Sequence, residues 1–230
     1  TLKLLLIIIT ISLITNIGTA LAADQSAKLL PSALIQNLGS DFTLTVEYDV
    51  TDGNNNLTGF VLAVHFDSSK FEYAGHSDFL NEGSLTSPPT VVVDDINDLD
   101  GDVTTDKMVP MDWSSFAFPA DWPGGSLPVI LAKLNFSVKM NADVGDSNIN
   151  INISNTAAGY GFLATNAVIT VTAPEQVASL IPNTLTQCLG SDFTLTVEYD
   201  VTDGNNNLTG FGLAVHFDSS KFEYAGHSDF

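Results

Sequence analysis

Arginine is absent from this 230-residue sequence, and lysine occurs only seven times against 27 aspartates and glutamates. The formal net charge of −20 leaves no basic footprint, which argues against nucleic acid and anionic membrane surfaces as partners. Cysteine occurs once, at Cys188, so an intramolecular disulfide framework and a cysteine-based zinc cluster are both excluded. The four histidines are His65, His76, His216 and His227, and none belongs to an HExxH motif. The sequence also lacks a Ser/His/Asp arrangement, a nucleophile elbow and a phosphate-binding glycine loop. Carboxylates are abundant, but a glycosidase needs two of them held across a cleft, and nothing in the pattern implies a cleft. The expectation is a protein that is not an enzyme. Helical periodicity of useful length is missing too.

One long apolar run exists, and it lies at the start. Lys3 precedes Leu4 to Ile17, and Ala20-Leu21-Ala22 supplies a small-x-small cleavage pattern. This layout predicts a secretory signal peptide over residues 1–22. Thr10, Ser12, Thr15 and Asn16 interrupt the run, which falls short of the ~20 apolar residues of a membrane span. The mature chain is therefore expected to be secreted or at the cell surface, without inserting into a membrane.

Residues 39–79 recur at 190–230 with an offset of 151 and a single difference, Val61 against Gly212. Upstream, Leu29-Leu30-Pro31 matches Leu180-Ile181-Pro182 more loosely. The expected organisation is a complete unit over 29–173, a linker over 174–178 and a truncated second copy over 179–230. With no initiating Met and a copy that stops part-way, the sequence reads as a piece of a longer tandem array.

Within the unit, Phe42, Leu44, Val46 and Tyr48 alternate with Thr43, Thr45 and Glu47, the period of a half-buried strand. The same alternation places Phe60, Leu62, Val64 and Phe66 inward, with Val61, Ala63 and His65 outward. Leu134, Phe136, Val138 and Met140, and then Ile149, Ile151 and Ile153, repeat it, and Ala167 to Thr172 closes the unit. Asp52-Gly53-Asn54, Asp67-Ser68-Ser69, Trp122-Pro123-Gly124-Gly125 and Val144-Gly145-Asp146 are turn signals between the runs. Eight or nine strands in about 145 residues predict an all-β fold, a two-sheet antiparallel β-sandwich of jelly-roll type with one core.

The order of these motifs resembles cohesin-like modules. Leu38-Gly39-Ser40-Asp41-Phe42-Thr43-Leu44 is similar to their opening strand. Leu57-Thr58-Gly59-Phe60, with Val64-His65-Phe66-Asp67-Ser68-Ser69-Lys70-Phe71-Glu72-Tyr73, resembles a second characteristic segment, and Leu127 to Val138 a long later strand. The resemblance covers 29–173 and again 180–230. It implies a sandwich shared with carbohydrate-binding modules, and an extracellular, bacterial, non-catalytic role in recognition. Three functions follow as expectations: polysaccharide binding or cell-surface attachment within polysaccharide breakdown, a calcium-stiffened spacer in a large adhesin, and binding of a dockerin-type protein module.

Two stretches hold the candidate sites. Residues 94–106 (DDINDLDGDVTTD) carry six aspartates, with Asp98, Asp100, Asp102 and Asp106 at relative positions 1, 3, 5 and 9. Such spacing lets one loop wrap oxygen ligands round a hard cation, although Val103 and Val109 occupy the positions where an EF-hand needs Gly and Glu. These four are the expected calcium ligands; a solvated acidic loop is the alternative. The second stretch, MDWSSFAFPADWPGG, contains both tryptophans. Trp113, Phe116 and Trp122 are the expected ligand-contact residues, with Asp112 and Asp121 beside them to read sugar hydroxyls. The same rings could instead plug one end of the sandwich. The Asn148, Asn150, Asn152 row reads either as a glycan strip or as an ordinary solvated sheet face.

Overall fold

A computed structural model of the chain describes residues 23–202, 210 and 212–228. The expected signal peptide, residues 1–22, lies outside the described residues. Among the described residues no helix is long and apolar enough to cross a membrane. The chain divides into two compact units between Ala173 and Pro174.

The first unit contains β1 (Asp24–Leu30), β2 (Ala33–Asn37), β3 (Asp41–Val50), β4 (Asn56–Leu57), β5 (Gly59–Phe66), β6 (Phe71–Ser77) and β7 (Leu85–Ser87). It continues with β8 (Val93–Asp94), β9 (Lys107–Ser114), β10 (Trp122–Pro123), β11 (Val129–Val138), β12 (Gly145–Asn155), β13 (Gly161–Thr165) and β14 (Ala167–Thr172). One sheet runs β13-β1-β3-β11-β6, and the other runs β2-β14-β12-β5-β9-β7 with β8 also on β9. The fold is an all-β sandwich, built on the alternation seen in the sequence. Phe42, Leu44, Val46 and Tyr48 of β3 face Phe60, Leu62, Val64 and Phe66 of β5, Leu134 and Phe136 of β11 and Ile149 of β12 in one buried core.

Three details differ from expectation. The unit begins at Asp24 rather than residue 29, because Ala27 and Leu29 of β1 are core residues. The pairing is not wholly antiparallel: β1 runs parallel to β13 and β2 parallel to β14. Both segments switch sheets, the first across Pro31-Ser32 and the second across Asn166, so each crossing segment keeps the same neighbour in both layers. Lastly, β11 stops at Val138 and leaves Met140 exposed.

One buried side chain pins the layers together, and one glycine sets a close approach within a sheet. The Gln25 side-chain amide donates to the Tyr48 hydroxyl at 2.6 Å and to the Gly59 carbonyl at 3.2 Å, while its oxygen accepts from the Ala157 amide at 2.6 Å. A buried polar group costs little when its hydrogen bonds are made. Gly59 itself has φ +131°, and a Cβ there would lie 2.1 Å from the Trp113 carbonyl oxygen. Only glycine permits β5 to approach β9 so closely at this end.

In the second unit, β15 (Gln176–Ile181) pairs antiparallel with β16 (Thr196–Val201). The expected linker is thus strand from Gln176 onward. Gln176 stands opposite Val201 and Ile181 opposite Thr196, which reproduces the pairing of Gln25 with Val50 and Leu30 with Thr45 at an offset of 151. The turn repeats as well. Ser191 Oγ donates to Gln187 Oε1 and the Cys188 carbonyl, as Ser40 Oγ donates to Gln36 Oε1 and the Asn37 carbonyl.

Candidate functional site

The aromatic stretch splits between interior and surface. Trp113 continues the inward row Val109, Met111, Trp113 of β9 and is fully buried. Its indole nitrogen donates to the Leu80 carbonyl at 2.7 Å, and its ring stacks on Phe79 at 5.2 Å between centroids. Trp122 is buried as well, with its ring 4.9 Å from Tyr48, 6.3 Å from Phe60 and 6.1 Å from Trp113. The structure therefore corrects two of the three expected ligand-contact residues: Trp113 and Trp122 plug the sandwich and present no face to a ligand. Phe116 is different. It is 76% exposed, and Phe118 beside it is fully exposed.

The loop that carries these two rings is tied down at its base. The Ser115 amide donates to the Thr58 carbonyl at 2.8 Å and the Phe116 amide to Ser84 Oγ at 2.9 Å. Ser115 Oγ donates to Asp121 and Ser87 Oγ donates to Asp112. Of the two aspartates expected to read sugar hydroxyls, Asp112 accepts from serines on both oxygens and Asp121 on one. Leu85, opposite Ser114 across the sheet edge, is also exposed.

The acidic loop lies on the outer face of the β12-β5-β9 sheet. Asn148 donates to Asp102 Oδ2 at 2.9 Å, and Asn150 donates to Asp100 Oδ2 at 2.8 Å and to Asp102 Oδ2 at 3.3 Å. The Asn152 amide donates to the Leu99 carbonyl. The asparagine row is thus neither a glycan strip nor a solvated face; it is the cradle of the loop. On the next strand, His65 Nδ1 lies 2.8 Å from Asp95 Oδ2 and 3.9 Å from Asp100 Oδ1, with all three side chains at most 2% exposed. An ionised carboxylate can only accept, so Nδ1 donates to Asp95. Asp95 also accepts from the Leu99 amide, which bends the loop back over the histidine. The His65 Nε2 has no hydrogen-bond partner.

The expected calcium ligands do not converge as a set. Asp100 accepts on one oxygen from the Asp102 amide and on the other from Thr105 and Asn150. Asp102 accepts from Thr104 on one side and the asparagines on the other, and Asp106 from the Ser68 amide and hydroxyl, both at 2.7 Å. Asp98 stands at the turn with φ +50°. Among the described residues, the one group of three whose ligand atoms lie within 4.8 Å of one another is His65, Asp95 and Asp100. Its imidazole is a donor better matched to a transition metal than to calcium. Asp95 stands outside the 1-3-5-9 spacing and His65 lies thirty residues upstream; the only sequence signal was a polar ring on an otherwise apolar strand.

The donors also set the charges. Asn148 and then Thr104 hold the Asp102 carboxyl down at about 2. Partial burial pushes Asp106 up, but the Ser68 hydroxyl and amide outweigh it and leave the group below its ordinary value. Lys107 is raised by its hydrogen bond to Asp94.

No protein-family model matches the chain, and no curated protein does. The solved structures to which it is similar include cohesin modules, the family its strand motifs resemble, and BcpA, the major pilin subunit of Bacillus cereus. The seventh ScaB type I cohesin of Pseudobacteroides cellulosolvens shares 12% identity at a TM-score of 0.42, covering 74% of this chain and 99% of that one. The OlpA cohesin of Clostridium thermocellum, solved with Doc918, shares 9% at a TM-score of 0.44 over 65% and 99%. The type III cohesin of the ScaE scaffoldin of Ruminococcus flavefaciens shares 11% at a TM-score of 0.37 over 68% and 92%. At these identities the likeness is one of fold.

Proposed function

We propose that the first unit is a non-catalytic, extracellular recognition module whose contact element is the loop from Ser115 to Asp121. One observation carries this reading: Phe116 and Phe118 stand exposed on a loop whose base is hydrogen-bonded to two neighbouring segments. Rigid aromatic anchors lose little entropy on binding and are typical centres of protein contacts. The kind of partner follows from the polar groups nearby. A sugar site needs rings together with free hydrogen-bonding groups, whereas Asp112 and Asp121 are held by serines and the asparagines by the acidic loop. This favours a protein partner over a polysaccharide, and a dockerin-type module is the partner that the motif resemblance implies.

The test is binding of the chain to a panel of dockerin-type modules and, separately, to insoluble polysaccharides. The double variant Phe116→Ala/Phe118→Ala should lower affinity for a bound module by about tenfold or more with an unchanged melting temperature. Binding to a polysaccharide that the double variant abolishes would replace the protein partner with a glycan. Binding to any partner with undiminished affinity in the double variant would overturn the assignment of the loop.

For the acidic loop we propose protein donors as the ordering agent. Asn148, Asn150, Asn152, Thr105 and Ser68 already supply the hydrogen bonds that a bound cation would otherwise supply as coordination. A calcium-stiffened spacer requires a melting temperature that rises with calcium.

A further inference from the structure

His65, Asp95 and Asp100 share three features that a cluster kept only for its hydrogen bonds does not need. The first is distance. His65 Nδ1 lies 2.8 Å from Asp95 Oδ2 and 3.9 Å from Asp100 Oδ1, and the three donor atoms fall within 4.8 Å of one another. Donors that share one tetrahedral cation at about 2.0–2.1 Å stand about 3.3 Å apart. The two separations from Nδ1 bracket that value.

The second is charge. The side chains of Asp95 and Asp100 are at most 2% exposed, and among the described residues no lysine forms an ion pair with either. A carboxylate taken out of water is paired with a cation or bound to a metal, because an isolated buried charge is costly. A neutral His65 leaves two negative charges uncompensated, and a protonated one still leaves one. A divalent cation balances both and takes the imidazole as a neutral donor.

The third is the imidazole itself. His65 is fully buried on β5, aims Nδ1 at the two carboxylates, and has no hydrogen-bond partner at Nε2. Buried polar atoms retained for hydrogen bonding are normally satisfied. Nothing beyond the ring fixes the tautomer here, so the Nδ1 proton can pass to Nε2 and leave the Nδ1 lone pair to a metal. The carboxylates are also oriented from behind, as ligating groups are. The Leu99 amide holds Asp95, while Thr105 and Asn150, both buried, hold the second oxygen of Asp100.

We infer that His65, Asp95 and Asp100 bind one divalent transition cation through Nδ1, Oδ2 and Oδ1. A nitrogen donor beside the oxygens favours zinc and its neighbours over calcium, which is held by oxygen alone. The ion would fasten the acidic loop to β5. This ligand set shares only Asp100 with the one that the 1-3-5-9 spacing implies, and it is independent of the role proposed for Phe116 and Phe118.

The test strips the full chain with a chelator and titrates it with zinc against a colorimetric indicator. Saturable uptake with a dissociation constant of about 10 µM or tighter is expected, and the melting temperature should rise with zinc but not with equimolar calcium. In NMR spectra, zinc should shift the imidazole nitrogens of His65, a readout that needs no variant. Asp95→Asn and Asp100→Asn keep the shape and an acceptor oxygen but each remove one charge. Each should weaken zinc binding by at least about tenfold. Absence of saturable uptake, unmoved His65 nitrogens, or undiminished affinity in both variants would overturn the inference. So would displacement of zinc by equimolar calcium.

Discussion

His65 and Asp95, thirty residues apart, form a buried hydrogen-bonded pair, with 2.8 Å between Nδ1 and Oδ2 and neither side chain accessible to solvent. This pair fastens the acidic loop to the sheet at one point while the asparagines of β12 fasten it at others. Removing one partner strands the other without its hydrogen bond in a dry site. His65→Ala should therefore destabilise the first unit by about 3 kcal/mol. Urea denaturation followed by tryptophan fluorescence would read this, since Trp113 and Trp122 both belong to that core. A cost below about 0.5 kcal/mol would show that the pair does not hold the loop.

Acid should release the loop from its cradle. Asp102 is held at about 2 against an ordinary 3.8, so its folded-state value is the lower of the two. The stabilisation it brings is present above the ordinary value and is lost as pH falls through the folded value. The melting temperature should thus decline between about pH 4 and pH 2. Asn148→Ala, which removes the first cause of the lowered value, should make that decline shallower. Equal slopes in the two proteins would refute the link.

Calcium should contribute little to the stability of the first unit. With both oxygens of Asp100, Asp102 and Asp106 accepting from protein donors, excess chelator is expected to shift the melting temperature by less than about 2 °C. A rise of about 5 °C or more on adding millimolar calcium, corresponding to over 1 kcal/mol for a domain of this size, would reinstate the spacer reading. Zinc is the informative control, because His65, Asp95 and Asp100 are the donors that converge.

The two kinds of aromatic residue should separate cleanly in stability. Trp113→Ala removes a fully buried ring and its hydrogen bond to Leu80, and should cost about 3–5 kcal/mol. Phe118→Ala removes a ring in full solvent and should stay within about 0.5 kcal/mol. Scanning calorimetry on the two variants checks both values. A marked loss of stability in Phe118→Ala would mean that this ring packs on the protein in solution.

Much of this was legible in the alternation of residues. The inward rows of β3, β5, β11 and β12 were each readable because a period of two is what one buried sheet face imposes. The same rule, applied to Val109, Met111 and Trp113, points Trp113 inward, and the run loses its period at Ser114-Ser115, where Phe116 leaves the sheet. Trp122 had no such signal; its burial depends on Tyr48 and Phe60 from two other strands. His65 and Asn150 alternate as solvent-facing residues should, and only the loop folded over them makes them interior.

By itself the sequence determined the all-β architecture, the acidic character and the local structure of the repeated segment. Similar residues led to the same turn and the same strand register in both units, because turn chemistry and strand pairing over twenty-odd residues are short-range effects. Only the tertiary structure decided which surfaces are covered. The acidic run is a latch rather than an open loop because asparagines about fifty positions away reach its carboxylates, and Trp122 is core because Tyr48 and Phe60 of two other strands close round it. Burial is set by neighbours distant in the chain, and a residue's own sequence context does not contain them.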